Sequence, residues 1–572
     1  MTNLFQINKF RAALLTTAII TTFGSHAFAD SGFIQDPANI KHNLFNAADT
    51  KLKPIKHRSG RSLKANTYTG EKSDMTRIHV RKIQIEGANA ENEAQLHTVI
   101  DSMASGLTTL SAVDALAAKI TKFYQDKGEL LTLAYVPKQY FKDGVVRINV
   151  LEGAIRDVVV EGDVQSPVLK AYIDKILELE PLTKDKLVRY LHLMNKIPGY
   201  EVEYAFEPIP MDSINTKEGK IADLILVVTR THGRVMANID NYGTKDLGRN
   251  QGSIGGQLMS PFKHDESLVG FVGTSNKPNK LKIATVGYKK ILNSEGTSLQ
   301  VLASYATNSA NKVSTAPTTK HDKGTMIRAT VSHYPVLSNK TSFKIEGGAQ
   351  NRTQDVFNGA TKQSKYHVLS ALVSSEIQHK DGLGGFTSFT PTIFKGISGA
   401  SKVTMYDPTV KKYDDNFTMF NGNFWHDHPL VGPVSLYISG NGQYSSNELP
   451  LEEKFIVGGI FNGRGYKTAL VSANKGGGVT AELRLTKKMD AGILNLVQPY
   501  AFYDTTSFSK TQALTNVSTL SSAGAGLRFT LFENAEFTLE AAQPLKKNIV
   551  IAGVTTKNDT RYSFIVNKTF SW

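Results

Sequence analysis

Apolar and polar residues alternate along most of the chain from Gly233 onward, and helical periodicity disappears there for about 340 residues. Val479–Thr486 follows the pattern throughout, with apolar residues at odd positions and polar residues at even positions. Ser298–Tyr305 follows it too, except that Leu302 falls on the polar face. Sixteen strand-like segments begin near positions 233, 249, 266, 279, 297, 323, 341, 363, 385, 415, 434, 476, 493, 515, 535 and 560.

Strands of about ten residues with one apolar face are typical of a transmembrane barrel. Closure of the barrel satisfies every backbone hydrogen-bonding group without water, which an open sheet in lipid could not do. We therefore predict a membrane β-barrel of about 16 antiparallel strands over residues 231–572. A soluble β-sandwich is the alternative, and it explains the pattern less well because its outward faces would be polar.

Two units with one order of elements, β-α-α-β-β, precede the barrel. In residues 77–153 the predicted elements are Ile78–Gly87, Glu91–Met103, Ser111–Asp126, Leu131–Pro137 and Val145–Gly153. In residues 154–230 they are Ile155–Gly162, Ser166–Leu179, Thr183–Ile197, Glu201–Phe206 and Ile221–Thr229. Such a repeat indicates two small α+β domains.

The first 29 residues have the pattern of a secretory signal peptide. Lys9 and Arg11 precede the apolar run Ala12–Phe23, and Ala27-Phe28-Ala29 provides a cleavage site of the A-x-A type. A membrane anchor is the competing interpretation, but the run is short for a bilayer. Residues 30–76 are polar, and we predict a linker with one weak helix at 34–52.

The charge and the cysteine content of the chain exclude some classes of function. Lysine and arginine exceed aspartate and glutamate by 66 to 51, a formal net charge of +15, and the basic residues are scattered. That distribution favours loops facing anionic lipid headgroups over a nucleic-acid site. The chain has no cysteine, which excludes disulfides and thiolate chemistry.

Enzymatic motifs are also missing from the sequence. It contains no G-x-S-x-G elbow, P-loop or H-E-x-x-H pair, so we predict neither an enzyme nor a cofactor. His426 and His428 share one strand face and could bind a metal. No third ligand is evident beside them, so we predict no metal site.

The two α+β units resemble POTRA domains, which bind extended polypeptide in the periplasm. The resemblance is carried by Leu151-Glu152-Gly153 and by Leu191–Gly199, LHLMNKIPG. A generic α+β repeat is the alternative. The last strand ends on Trp572, which resembles the C-terminal aromatic signal of outer-membrane barrels, although phenylalanine is usual there.

Together these features resemble the outer-membrane transporters of two-partner secretion, the TpsB family. Arg464-Gly465-Tyr466 matches the family's R-G-Y/F tip of a long loop, here 448–473, that folds into the barrel lumen. Pro499–Asp504 resembles the family's Y-x-F-x-D strand, whose aspartate pairs with the loop arginine. The resemblance therefore implies an ion pair between Arg464 and Asp504 that holds the loop in the lumen, which we call the lock. Phe502 would face inward, and Glu482 would be a second acceptor for the arginine.

The resemblance implies export, without nucleotide, of a large exoprotein of the TpsA type: a haemolysin, an adhesin or a contact-dependent growth-inhibition toxin. Its periplasmic POTRA domains would capture the exoprotein, with Leu131, Leu133 and Tyr135 as candidate contacts unless they are core residues. Other implied partners are outer-membrane lipid, lipopolysaccharide and, during biogenesis, the barrel-assembly machinery, and the protein would be a monomer. In this family a helix such as 34–52 can plug the barrel. The alternatives are a barrel-assembly factor and a passive porin or adhesin.

Overall fold

The described residues fall into two compact units that meet in sequence at Arg230 and Thr231. The computed structural model describes residues 53–54, 77–88, 92, 95–96, 100, 106–137, 139, 144–162, 165–209, 219–244, 247–310, 320–358, 360–406, 413–450, 453–509, 517–532, 534–551 and 554–572. The predicted signal peptide, the helix predicted at 34–52 and most of the helix predicted at Glu91–Met103 lie outside these residues.

The unit that ends at Arg230 contains two small mixed sheets, each packed against helix, and one two-stranded antiparallel sheet. Its helices are α1 (Leu110–Asp126), α2 (Pro167–Leu177) and α3 (Lys184–Met194). Its strands are β1 (Lys53–Pro54), β2 (Arg77–Val80), β3 (Lys82–Glu86), β4 (Gly106–Thr109), β5 (Leu133–Tyr135), β6 (Val145–Leu151), β7 (Ala154–Gly162), β8 (Tyr200–Pro208) and β9 (Lys220–Arg230).

Helix α1 covers the first sheet, in which the strand order is β3-β6-β5. Thr109 caps the helix, because its hydroxyl accepts the N–H of Ala112 at 3.3 Å. Val113 and Ile120 lie on one face of the helix and are fully buried, and burial of such a face is the main stabilising contribution. The single strand predicted at Ile78–Gly87 is divided into β2 and β3 by a bend at Arg81.

The second sheet has the order β1-β8-β9-β7 and packs against α2 and α3. Ser166 caps α2 by accepting the N–H of Leu169 at 2.8 Å. Strand β1 pairs in parallel with β8, so this edge is covered by the chain itself. Among the described residues, no helix is both long enough and apolar enough to cross a membrane.

The second unit is a closed antiparallel barrel of sixteen wall strands. The wall consists of β10 (Gly233–Asp240), β11 (Gln251–Met259), β12 (Glu266–Ser275), β13 (Leu281–Ile291), β14 (Ser298–Ala310), β15 (Lys320–Leu337), β16 (Thr341–Asn358), β17 (Thr361–Lys380), β18 (Phe386–Gly396), β20 (Thr418–Pro429), β21 (Val434–Tyr444), β24 (Gly476–Leu485), β26 (Leu494–Phe508), β27 (Thr519–Leu531), β28 (Ala535–Pro544) and β31 (Arg561–Ser571). All sixteen strands begin within four residues of their predicted starts.

Short strands extend the wall or lie in the loops. Strand β19 (Lys402–Met405) continues beside β17, and β25 (Lys487–Ala491) continues beside β26. Two hairpins lie outside the wall, one formed by β22 (Phe455–Val457) and β23 (Val471–Ala473), the other by β29 (Asn548–Ile551) and β30 (Val554–Lys557). The barrel closes where β10 pairs with β31.

Burial follows the predicted alternation. On β26, Phe502 and Asp504 are buried in the lumen, while Tyr503 is 49% exposed on the outer face. Leu302, the exception in the pattern of β14, is buried on the lumenal side. Because side chains of a strand alternate between its two faces, the sequence pattern assigns the lumenal face correctly.

The last strand also contains a residue that the pattern left unexplained. Lys568 interrupts the outer, apolar face of β31, and its ammonium donates a hydrogen bond to the side chain of Asn534 in the turn between β27 and β28. It also lies 5.2 Å from the ring of Phe570. The charge therefore reaches a polar partner at the barrel rim, while its alkyl stem covers the apolar face.

Candidate functional site

The loop between β21 and β24 carries the predicted R-G-Y tip and is folded around its own apolar core. Within the loop, β22 and β23 form a short hairpin, and Phe455, Val457 and Tyr466 are buried in one cluster with residues of β26 and β27. Gly458 and Gly459 follow β22 with φ of +91° and +93°, a conformation that favours glycine. The hairpin and these glycines direct the tip toward the lumenal face of the wall.

The guanidinium of Arg464 bridges two lumenal carboxylates. Its Nη2 lies 2.7 Å from Oε1 of Glu482 on β24, and its Nη1 lies 2.8 Å from Oε2 of Glu540 on β28. Its Cζ also lies 4.4 Å from the centre of the Phe502 ring. The tip is therefore attached to two wall strands, and the expected interaction with Glu482 is present.

Glu482 is the centre of a larger cluster of charges. Arg484 contacts its carboxylate at 2.5 Å and Arg528 at 3.1 Å, in addition to Arg464. Each of these two arginines also stacks on a tyrosine ring, Arg484 on Tyr437 at 3.6 Å and Arg528 on Tyr500 at 3.8 Å. Such charge-assisted contacts hold a planar guanidinium in a defined orientation.

Asp504 contacts the loop differently from the pairing that the family motif implies. Its Oδ2 accepts the backbone N–H of Arg464 at 3.0 Å, and its Oδ1 accepts hydrogen bonds from the hydroxyl and the backbone N–H of Ser522. The guanidinium pairs with Glu482 and Glu540 instead. The carboxylate of Asp504 thus positions the loop backbone rather than neutralising the arginine side chain.

Gly465 and Tyr466 fit closely against the wall. The N–H of Gly465 donates to the Ser522 hydroxyl at 3.1 Å, and a Cβ at this position would lie 2.7 Å from the backbone nitrogen of Pro544. The Tyr466 hydroxyl donates to the carbonyl of Ser521 and accepts the N–H of Lys546, both at 3.0 Å. The glycine is therefore required for close approach, and the tyrosine anchors the tip to the wall.

The cluster is nearly enclosed. The side chains of Arg464 and Glu482 are 10% and 1% exposed, and that of Glu540 is 4% exposed. Burial alone would lower the pKa of Arg464, but the carboxylates of Glu540 and Glu482 raise that pKa well above its usual value. The arginine therefore keeps its charge, and the cluster is a set of buried ion pairs.

Sequence analysis missed several members of this cluster. Glu540 lies 76 positions after Arg464, and Arg528 and Ser522 also come from strands without a recognised motif. The alternation of side chains along a strand could have indicated Arg484, because Arg484 lies two residues after Glu482 and shares its face. Alternation along one strand cannot predict which lumenal residues on distant strands meet.

The three candidate cargo contacts differ in how deeply their side chains are buried. Leu131 precedes β5 and is buried at 2% exposure, so its assignment as a docking contact is wrong and it is a core residue. Leu133 and Tyr135 lie on β5 itself and are half-buried. Strand β5 is an edge of the first sheet, since it pairs with β6 alone.

Comparison with known families identifies the chain. A family model described as POTRA domain, ShlB-type, matches residues 78–153. The model described as haemolysin secretion/activation protein ShlB/FhaC/HecB matches residues 223–529, more than half of the chain. The chain belongs to this family. The identification as a two-partner secretion transporter of the outer membrane is thereby confirmed.

Relatives support the same assignment. The heme/hemopexin transporter protein HuxB of Haemophilus influenzae strain 86-028NP is 22% identical over 499 residues, 84% of this chain and 86% of HuxB. The outer membrane transporter CdiB of Dickeya dadantii is 21% identical over 64% of this chain and 65% of its own. Both relatives are described as transporters, in agreement with the family assignment.

Solved structures share the fold. CdiB from Escherichia coli superposes with a TM-score of 0.71 at 17% identity, covering 98% of both chains. CdiB from Acinetobacter baumannii gives 0.64 at 16% identity, covering 94% of this chain and 100% of the other. The predicted combination of a sixteen-stranded barrel with POTRA architecture is confirmed.

Proposed function

We propose that this transporter exports its exoprotein through the barrel without nucleotide, and that the Arg464 loop locks the lumen between transport events. The observation that carries the lock is the pair of contacts from Arg464 to Glu482 and Glu540, which ties one loop tip to two wall strands. Asp504 adds a hydrogen bond to the loop backbone. A buried network of this kind holds the loop in one position. The loop can leave that position only when all of these contacts break.

Arg464→Ala tests the lock. Loss of the guanidinium leaves two buried carboxylates without this partner, and breaking such a pair typically costs about 3–5 kcal/mol. We expect a larger and noisier single-channel conductance in planar bilayers and export lowered at least several-fold in cells. Lys467→Ala is the matched control, because Lys467 is a basic residue of the same loop and is exposed.

Export is measured with a secretion domain of the filamentous-haemagglutinin type, co-expressed with the intact protein or a variant. Cargo outside the cells with the intact protein and the Lys467 variant, but reduced with Arg464→Ala, supports the lock. Equal export by all three would refute it. The nucleotide requirement is tested separately with proteoliposomes, in which cargo should enter in the absence of any nucleotide.

The relatives support an inference about the class of cargo. HuxB is described as a heme/hemopexin transporter and CdiB as an outer membrane transporter. We infer a large secreted exoprotein of the TpsA type as the partner here, and we infer that the chain itself catalyses no reaction. We also propose that the barrel contacts lipopolysaccharide and, during biogenesis, the barrel-assembly machinery.

A barrel-assembly factor is the competing function. Such a factor would insert other barrels into the membrane and would not export this cargo.

The edge of β5 that does not pair with β6 is the proposed capture site. The N–H of Ala134 there donates to the Thr121 hydroxyl at 2.9 Å, so an extended cargo segment would replace this contact as it pairs with β5 by β-augmentation, beside Leu133 and Tyr135. The double variant Leu133→Arg with Tyr135→Arg should weaken cargo binding by at least tenfold in a pull-down titration. Leu107→Arg is the control, since Leu107 is 66% exposed in the same α+β unit. Equal affinity of both variants would exclude this edge.

A further inference from the structure

Two histidines and an aspartate meet on the outer face of the barrel, at the end where β10 begins and β31 ends. His426 and His428 lie near the end of β20, and Asp381 lies in the turn between β17 and β18. One ligand atom of each residue lies within 4.8 Å of those of the other two, and the described residues contain no second cluster of this kind. The sequence showed the two histidines but not the third ligand.

Strand alternation separates this cluster from the lumenal site. Asp427, between the two histidines, is buried and faces Arg484 in the lumen at 3.7 Å. His426 and His428 therefore point to the outer face, and their rings are stacked with centroids 5.6 Å apart. Neither histidine takes part in the loop contacts described above, so the lock does not account for the cluster.

Two of the three ligands, Asp381 and His426, are already oriented by neighbours. Oδ1 of Asp381 accepts the N–H groups of Leu383 at 2.9 Å and Gly385 at 2.7 Å, and Oδ2 lies 3.9 Å from Nδ1 of His428. The hydroxyl of Thr387 lies 2.8 Å from Nδ1 of His426 and leaves its Nε2 available. Histidines that bind metals are commonly held through their other ring nitrogen in this way.

Gly385 leaves the space that the ligands need. A Cβ at this position would collide with Oδ2 of Asp381 and would lie 2.8 Å from Nδ1 of His428. Ligands of tetrahedral zinc at about 2.0–2.1 Å lie roughly 3.3 Å from one another. The 3.9 Å separation between Asp381 and His428 requires only a small rotation of partly exposed side chains.

We propose that Asp381, His426 and His428 bind a divalent first-row transition metal ion, with Zn²⁺ as the best match to the ligand set. Two imidazoles and one carboxylate are typical ligands of zinc, and a fourth position remains open to water. The ion connects the β17–β18 turn to β20, two neighbouring parts of the barrel rim. The site is independent of the loop lock and of the cargo.

Equilibrium dialysis of the full-length protein in detergent tests the site. The protein carries no polyhistidine tag, is stripped with chelator and is then equilibrated with ZnCl₂, and bound zinc is counted by mass spectrometry. We expect one tight Zn²⁺ per chain, and at least tenfold weaker binding for His428→Ala and for Asp381→Asn. Heat-modifiable migration on gels verifies that each variant barrel is folded.

His333→Ala is the matched control. His333 contacts Thr297 at 3.1 Å as His426 contacts Thr387, but it lies on β15, four strands and about 19 Å around the sheet from β20. It should bind zinc like the intact protein. Equal zinc binding by all variants, or an equal loss in the control, overturns the proposal.

Gly385→Ala and a spectroscopic measurement provide tests that remove no ligand. The added methyl group should weaken zinc binding at least tenfold with all three ligands present. Co²⁺ bound to the intact protein should give the visible absorption of a four-coordinate site, and that absorption should disappear when Zn²⁺ is added. Absence of saturable Co²⁺ absorption in the intact protein would also overturn the proposal.

Discussion

At the scale of single residues, each position of the R-G-Y tip makes a different kind of contact with the wall. Arg464 provides the side-chain ion pairs, Gly465 the close approach, and Tyr466 two hydrogen bonds of 3.0 Å. Asp504 contributes through the backbone N–H of Arg464. A substitution that leaves the charges in place but displaces the backbone should therefore disturb the lock as much as loss of a charge.

Gly465→Ala tests this point. Its methyl group would lie 2.7 Å from the Pro544 nitrogen and 2.9 Å from Cβ of Ser522, and overpacking of this kind costs about 1–3 kcal/mol. We expect increased single-channel conductance with normal barrel insertion. Gly442→Ala is the control, because the nearest atom to its Cβ would be 3.8 Å away. Unchanged conductance in Gly465→Ala would show that close approach is not needed.

At the scale of elements, the wall and the loop are separable. The wall strands pair directly from β21 to β24, while β22 and β23 pair only with each other. Closure of the barrel therefore does not use the hairpin of the loop. The apolar cluster around Tyr466 holds the loop in place once the wall exists.

Replacement of residues 458–470 by a short Gly-Ser linker tests that separation. We expect the barrel to insert and to migrate as a heat-modifiable band, because every wall pairing is retained. Conductance should rise above that of the intact protein, and export should fall at least several-fold. Failure of the barrel to insert would show that the loop is needed to form the wall.

At the scale of the whole molecule, two compact units have separate tasks in the proposed mechanism. The unit that ends at Arg230 carries β5 at the edge of its sheet, and the unit from Thr231 forms the closed wall. Each unit has its own hydrogen-bonded sheets. Capture and conduction should therefore be lost independently.

Deletion of residues 78–230 is the corresponding experiment. We expect no detectable export of the secretion domain, together with a pore that still conducts in planar bilayers. A tagged variant detected in the outer-membrane fraction verifies assembly. Export that survives the deletion would contradict the capture role of the first unit.

The sequence by itself determined the sixteen wall strands and the lumenal face of strands such as β24 and β26, because these depend on local periodicity, and it showed the R-G-Y tip through its resemblance to the family motif. It also placed Glu482 and Phe502 correctly in the lumen. Only the tertiary structure decided that Glu540 shares the guanidinium, that Asp504 binds backbone, that Leu131 is core and that Asp381 joins two histidines. The physical reason is that alternation specifies a face, whereas partners on distant strands depend on register and barrel closure.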